Sequence, residues 1–194
     1  MKLPTRVTLL SIAALLATTA LAALKAGDAA PAFTAPASLA GKAFTYSLKE
    51  NLAKGPVVVY FYPSAFTSGC NVQAHEFATR MEQFAAVGAS VVGVSLDSIE
   101  RLNAFSADPN YCAGKLAVAS DAQGTIARSF GLHVTEAQPG ATDTRGKEID
   151  HGFAERTTFV VRNDGTVAAT VGGVSPSENV ARALEQVKKL VASR

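Results

Sequence analysis

The stretch Val57-Val58-Val59-Tyr60-Phe61-Tyr62-Pro63-Ser64-Ala65-Phe66-Thr67-Ser68-Gly69-Cys70 decides the fold. Its first six residues form a continuous apolar run, the pattern of a central strand covered on both faces. Beyond Cys70, the residues Ala74, Phe77, Met81, Phe84 and Val87 recur at helical spacing, and Gly88 suits the C-terminal cap of that helix. Strand, tight loop and helix together place Cys70 in a first helical turn, where backbone N–H groups point outward and the macrodipole is positive. Both favour thiolate over thiol and predict a pKa below the free value of about 8.5. The thiolate is the nucleophile of cysteine chemistry, so Cys70 is a candidate catalytic residue. The Thr67 hydroxyl, on the same loop, is placed to hydrogen-bond either the sulfur or a bound oxygen.

Outward from this unit the chain alternates strands and helices. Alternation over Ala43–Ser47 predicts a short strand, and Ser90–Leu96 a second buried one. Asp97 and Glu100 resemble a capping box opening a helix through about Phe105. Leu116–Ala119 reads as a strand and Thr125–Phe130 as a short helix. Residues 131–155 lack clear periodicity and hold Pro139, Gly140, Gly146 and Gly152, which predicts a long surface loop. Arg156–Val161 and Thr166–Val171 read as strands joined by the hairpin signal Asn163-Asp164-Gly165. Ser175-Pro176-Ser177-Glu178 opens a last helix, with Val180, Leu184, Val187 and Val191 as its buried stripe. The order implies an α/β domain with a mixed central sheet flanked by helices.

Pro63, Thr67 and Cys70 match the P-x-x-x-T-x-x-C pattern of the peroxiredoxins. The continuation Thr67–Ala74 resembles the bacterioferritin-comigratory, or PrxQ, branch, from which Ser68 and Asn71 depart at positions the chemistry does not need. Gly27-Asp28-Ala29-Ala30-Pro31-Ala32-Phe33 resembles the family's opening G-x-x-A-P-x-F, and Arg156-Thr157-Thr158-Phe159-Val160-Val161 its arginine-bearing strand. The resemblance spans residues 27–191 and implies a thioredoxin-like fold.

With 194 residues, the chain suits one domain with a sizeable core. Met1–Arg6 is short and basic, Val7–Leu16 apolar, and Ala20-Leu21-Ala22 an A-x-A site: a secretory signal peptide over residues 1–22 preceding a domain over 23–194. Periplasmic or secreted localisation follows. The alternative is a retained N-terminal membrane anchor facing the periplasm, since Val7–Leu24 approaches the roughly 17 residues of the shortest spanning helices. No cysteine lies near the site, which argues against lipoprotein processing. Cleavage removes Lys2 and Arg6 and no acid, taking the formal charge from +2 to 0, so the basicity of the whole chain points to neither nucleic acid nor membrane.

Two cysteines, Cys70 and Cys112, in an exported protein are compatible with a structural disulfide. A structural bridge, however, needs neither a helix-start thiolate nor Thr67 beside it. The resemblance assigns Cys70 as the peroxidatic cysteine, Arg156 as the arginine that polarises peroxide, and Pro63 as the residue shielding the thiol from water. Gln73 stands where the branch carries a Glu or Gln near the site. The position of one resolving cysteine of the branch is His75 here; the alternative position, ahead of a later strand, fits Cys112. What the resemblance implies is reduction of hydrogen peroxide and alkyl hydroperoxides through a sulfenic acid and an intramolecular disulfide. The implied reductant is a thioredoxin- or glutaredoxin-like protein, and the chain a monomer. His75, His133 and His151 show no metal spacing, and no C-x-x-C, haem or phosphate-loop motif is present, so no cofactor is expected. An exported binding domain stapled by a permanent disulfide, and a redox sensor that passes its disulfide to a partner, are the rival classes.

Overall fold

The computed structural model describes residues 22–193. The predicted leader therefore lies outside the described residues except for its last position. In chain order the elements are β1 (Thr34–Leu39), β2 (Lys42–Ser47), α1 (Leu48–Leu52), β3 (Val57–Phe61), α2 (Ser68–Ala86), β4 (Ser90–Ser95), α3 (Ile99–Ala107), β5 (Ala117–Ser120), α4 (Thr125–Ser129), β6 (Thr157–Val161), β7 (Val167–Gly172) and α5 (Pro176–Ala192). The strands form one sheet in the order β2-β1-β5-β4-β3-β6-β7. β3, β4 and β5 are parallel, while β6 runs antiparallel to β3 and forms a hairpin with β7.

The apolar run at the centre of the sheet produces two cores. Val58, Tyr60 and Tyr62 face the core built with α2, α3 and α5; Val57, Val59 and Phe61 face the core built with α1 and α4. Both sets are wholly or almost wholly buried, because successive side chains of a strand leave opposite faces. Tyr60 is so large that its neighbour in β4 must be Gly93: a Cβ there would lie 2.5 Å from the Tyr60 ring.

The helix carrying Cys70 has defined ends. Pro63 has no N–H to donate to the sheet, so pairing stops after Tyr62, whose N–H donates to Val94 C=O at 3.1 Å. At the far end Gly88, at φ +70, donates to Ala85 C=O (2.9 Å) and Ala89 to Phe84 C=O (3.0 Å), the crossed bonds of a Schellman ending. Ala74, Phe77 and Phe84 are buried beneath it, and α5 packs alongside.

The predicted Ala43–Ser47 strand is present as β2, the outer half of a hairpin whose inner strand, β1, has too many small residues to show periodicity. Two sequence expectations need correction. Ser98, not Asp97, caps α3, its Oγ accepting from Arg101 N–H at 3.3 Å. Asp97 is instead fully buried, because the loop before Cys70 needs its carboxylate. Residues 131–155 do run as a loop, but not wholly on the surface: Leu132, Asp143, Ile149 and Ala154 are buried and the segment packs against the Cys70 loop.

Candidate active site

The loop between β3 and α2 sets Cys70 in the first turn of α2. Thr67 occupies the N-cap position, yet its hydroxyl donates to Ser64 C=O (2.8 Å) and does not cap the helix. The first intrahelical bond runs from Asn71 N–H to Thr67 C=O at 2.8 Å. The N–H groups of Ser68, Gly69 and Cys70 are thus the unbonded donors that every helix start carries. Thr67 Oγ1, having spent its proton on Ser64, can only accept from any further partner. Sequence reasoning set that hydroxyl to bond either the sulfur or a bound oxygen; the structure gives its proton to the loop and leaves it an acceptor.

Cys70 is 2% exposed, and its sulfur accepts from Arg156 Nη2 at 3.3 Å. Arg156 lies immediately before β6, whose antiparallel pairing with β3 carries it to the mouth of the Cys70 loop. Its other terminal nitrogen, Nη1, donates to Gln73 Oε1. The half-buried guanidinium thus joins two residues three apart on α2, one turn of the same face. Gly69 gives the guanidinium room: a Cβ there would stand 3.2 Å from Arg156 Nη2, close enough to displace it by a few tenths of an ångström, and 3.5 Å from Pro176 Cγ. The structure brings together Cys70, Thr67, Arg156 and Gln73, with half-buried Pro63 at the head of their loop.

Beneath the loop lies an ionic cluster that sequence reasoning missed. Asp97 Oδ2 accepts from Ala65 N–H (2.7 Å) and Ser95 Oγ (2.7 Å), and Oδ1 from Ser64 Oγ (2.8 Å). Arg101 Nε lies 2.8 Å and His151 Nε2 2.9 Å from the same Oδ1. Burial alone raises a carboxyl's pKa, but the His151 bond and charge with the Ser95 and Ala65 donors hold Asp97 below the usual range. For His151, burial works downward and Asp97 upward, and the imidazole ends above its ordinary value. Arg101 bridges on to Asp143 (2.9 Å) and to Ala65 C=O (2.9 Å). Burial opposes ionisation of Asp143 too, yet Arg145 and the N–H groups of Arg145 and Lys147 pull it down to about 2.

The cluster holds a strained residue. Phe66, buried in the loop, has φ +62, a conformation costing a non-glycine residue roughly 1–3 kcal/mol. Its carbonyl accepts from Thr144 N–H (3.0 Å) and Thr144 Oγ1 (2.7 Å), and Arg145 sits 3.2 Å over its ring centroid. Only the tertiary fold unites these groups: Asp97 and Asp143 carry no spacing that distinguishes them from solvated acids.

Cys112 sits in the turn region after α3, wholly buried and, like Cys70, a free thiol. Burial, with the Asp108 charge added, pushes its pKa well up. Both sulfurs border one core and both act on the Tyr60 phenol, whose pKa burial also raises. His75 is exposed on α2 with Nδ1 3.1 Å from Asn110 O, and Glu76 pairs with Arg80 at 2.7 Å. Among the described residues, no group of three or more His, Cys, Asp or Glu could hold a metal, and no helix is long and apolar enough to cross a membrane.

Comparison with known proteins identifies the family and the fold. Residues 26–170 match the AhpC/TSA family. A Mycobacterium tuberculosis protein named for the peroxiredoxins is 37% identical over 113 residues, 58% of this chain, and the match spans only 64% of that relative's length. Peroxiredoxin Bcp of Escherichia coli K12 is 30% identical over 144 residues, covering 74% of this chain and 83% of its own. The crystal structure of peroxidoxin BcpB from M. tuberculosis superposes with a TM-score of 0.71 at 29% identity, covering 86% of this chain and 98% of that one. The single α/β domain with its seven-stranded mixed sheet is the thioredoxin-like fold of these proteins.

Proposed function

Because this chain belongs to the AhpC/TSA family of peroxiredoxins, we propose that it is a thiol peroxidase whose peroxidatic residue is Cys70. The observation that carries the reading is the Arg156 guanidinium 3.3 Å from Cys70 Sγ, at a helix start with unbonded N–H donors. The sulfur attacks one peroxide oxygen, an S–O bond forms and the O–O bond breaks. Negative charge develops on the departing oxygen, which leaves as water or an alcohol after taking a proton. Arg156 and the first-turn N–H groups are aimed at that charge. Thr67 Oγ1 accepts from the peroxide O–H, orienting the O–O bond along the line of attack. Pro63 closes the loop against water without adding a donor.

The product is a sulfenic acid on Cys70. Cys112 is the resolving cysteine in this reading: its thiolate displaces hydroxide from the sulfenic sulfur and leaves an intramolecular disulfide. Its burial requires movement of the 107–115 segment or unwinding of the first turn of α2 before the two sulfurs bond. A thioredoxin- or glutaredoxin-like protein returns both thiols. Hydrogen peroxide and small alkyl hydroperoxides are the substrates of a PrxQ-type, monomeric enzyme. Removal of residues 1–22 would place it in the periplasm or outside the cell, where a thioredoxin-like donor of that compartment is needed.

The deciding experiment follows hydrogen peroxide consumption by residues 23–194 with a dithiol reductant, beside Cys70→Ser and Cys112→Ser. Turnover abolished in Cys70→Ser, with a trapped sulfenic acid in Cys112→Ser, is the expected result. Wild-type protein that consumes no peroxide sinks the reading. An intermolecular disulfide, or sulfinic acid alone, in peroxide-treated wild type removes Cys112 from its role.

A further inference from the structure

A buried chain of neutral amides runs from Arg156 away from Cys70 into the sheet. Gln73 Oε1 accepts from Arg156 Nη1, and Gln73 Nε2 donates to Asn179 Oδ1 at 3.0 Å. Thr158 Oγ1 donates to the same Oδ1 at 2.6 Å, and Asn179 Nδ2 donates to Val171 C=O at 3.0 Å. Gln73, Thr158 and Asn179 are all 0% exposed. Thr158 and Val171 face each other across the β6–β7 pairing, so the far end of the chain is the sheet itself.

The direction of each bond is forced. The Val171 carbonyl only accepts, so Asn179 must turn its NH2 to it and its oxygen towards α2. That oxygen only accepts, so Gln73 must offer its NH2. The Gln73 carbonyl is then left facing Arg156, which only donates. A Gln73 flipped by half a turn would set NH2 against guanidinium and leave a buried oxygen with no donor, a costly arrangement. Among the described residues, the groups hydrogen-bonded to the guanidinium, an amide oxygen and the sulfur, include no carboxylate. The charge of Arg156 is therefore directed at Cys70 without an acidic partner drawing it away.

We infer that Asn179 is a positioning residue for the Cys70 site: it sets the orientation of Gln73, and through Gln73 it holds the Arg156 guanidinium against the sulfur. The assignment rests on the peroxidase reading for its effect on turnover, but not for its effect on the thiol. Asn179 touches neither the sulfur nor the substrate space. It lies at the start of α5, where its own N–H donates to Ser175 C=O at 2.9 Å.

The test compares Asn179→Leu, Gln73→Leu and the double variant, all carrying Cys112→Ser so that one thiol reports. Two quantities are read: the pH profile of Cys70 alkylation by iodoacetamide, and the single-turnover rate with hydrogen peroxide. Asn179→Leu is expected to move the alkylation midpoint to higher pH and slow the peroxide reaction about tenfold, the scale of one misplaced hydrogen bond to a charged group. The double variant should be no worse than Gln73→Leu alone, because Asn179 acts only through Gln73. Should Asn179→Leu not fold, Asn179→Ser, too short to reach Gln73, carries the same expectation. An unchanged profile and rate in a folded variant overturns the proposal, as does a double variant whose losses are the sum of the two. Wild-type protein inert to peroxide would sink the peroxidase reading while the alkylation profiles still decide the role of Asn179.

Discussion

Cys70 and Cys112 are equally hidden from water, yet the chain surrounds them with opposite chemistry. Cys70 has a guanidinium nitrogen at 3.3 Å and a helix start behind it. Cys112 has apolar neighbours and the Asp108 charge, and its thiol is pushed well up. Their supports differ as well. The Cys70 loop is clamped by a side-chain ion cluster, the buried Asp97 and Asp143 with the partly buried Arg101 and His151. The Cys112 segment is held by local backbone bonds such as Ala113 N–H to Asp108 C=O and Gly114 N–H to Ser106 C=O, both 2.9 Å. Burial by itself makes a thiol inert; what makes one reactive is the charge and the donors buried with it.

The contrast breaks first at the sulfurs. Cys70→Ser should lower the peroxide rate constant by about 10⁴-fold or more, while Cys112→Ser keeps the first turnover within about threefold. Stopped-flow mixing of reduced protein with hydrogen peroxide measures both. Equal losses in the two variants would erase the asymmetry. Arg156→Met, which keeps the bulk and removes the charge, should cost about 10²-fold in the same measurement. It should leave the alkylation of Cys112 in urea unchanged.

The supports come next. Asp97→Asn strips the carboxylate from a buried cluster and leaves Arg101 and His151 facing a neutral amide, which should cost about 3–5 kcal/mol in urea unfolding. A loss below 1 kcal/mol would show that the cluster does not hold the loop. The cluster also has a pH signature. Asp97 titrates lower when folded, so its contribution is present above the ordinary 3.8 and is lost as pH falls through the depressed value. His151 titrates higher when folded, so its contribution is complete below the ordinary 6.5 and is lost as pH rises through the raised value. Stability attributable to the pair should therefore plateau between these limits and decline above about pH 6.5. His151→Gln should flatten that decline; a decline of unchanged size assigns it to other groups. The smallest effect is expected at Asp108→Asn. With one charge removed, Cys112 alkylation should speed by severalfold at most, because burial, the larger cause, remains.

The sequence itself determined a good deal. Val57–Tyr62 announced a doubly covered strand, because six consecutive apolar residues have no polar face to show water. Cys70 was placed in a first helical turn by the strand behind it and the 3.6-residue stripe ahead of it, and Ser175-Pro176 opened α5 where the capping pattern required. Gln73, chosen from the resemblance to relatives, does touch Arg156. These features are written in short windows, within which local sterics and periodicity suffice.

What only the tertiary structure decided is the company each charge keeps. Nothing in the window around Asp97 separates a helix cap from a buried carboxylate. The difference is made by Ser64, Ala65 and His151, which reach it from 33, 32 and 54 residues away. Residues 131–155 lack periodicity because their task is to bring Thr144 to Phe66 and His151 to Asp97, contacts that leave no repeating stripe. Asn179 reads as an ordinary polar residue near a helix start, and becomes a link between Gln73 and Val171 only when α5 is laid beside α2 and the β6–β7 hairpin. Periodicity records which face of an element is apolar. The partner of a buried polar group is set by the path of the whole chain, and the chemistry of Cys70 depends on those partners.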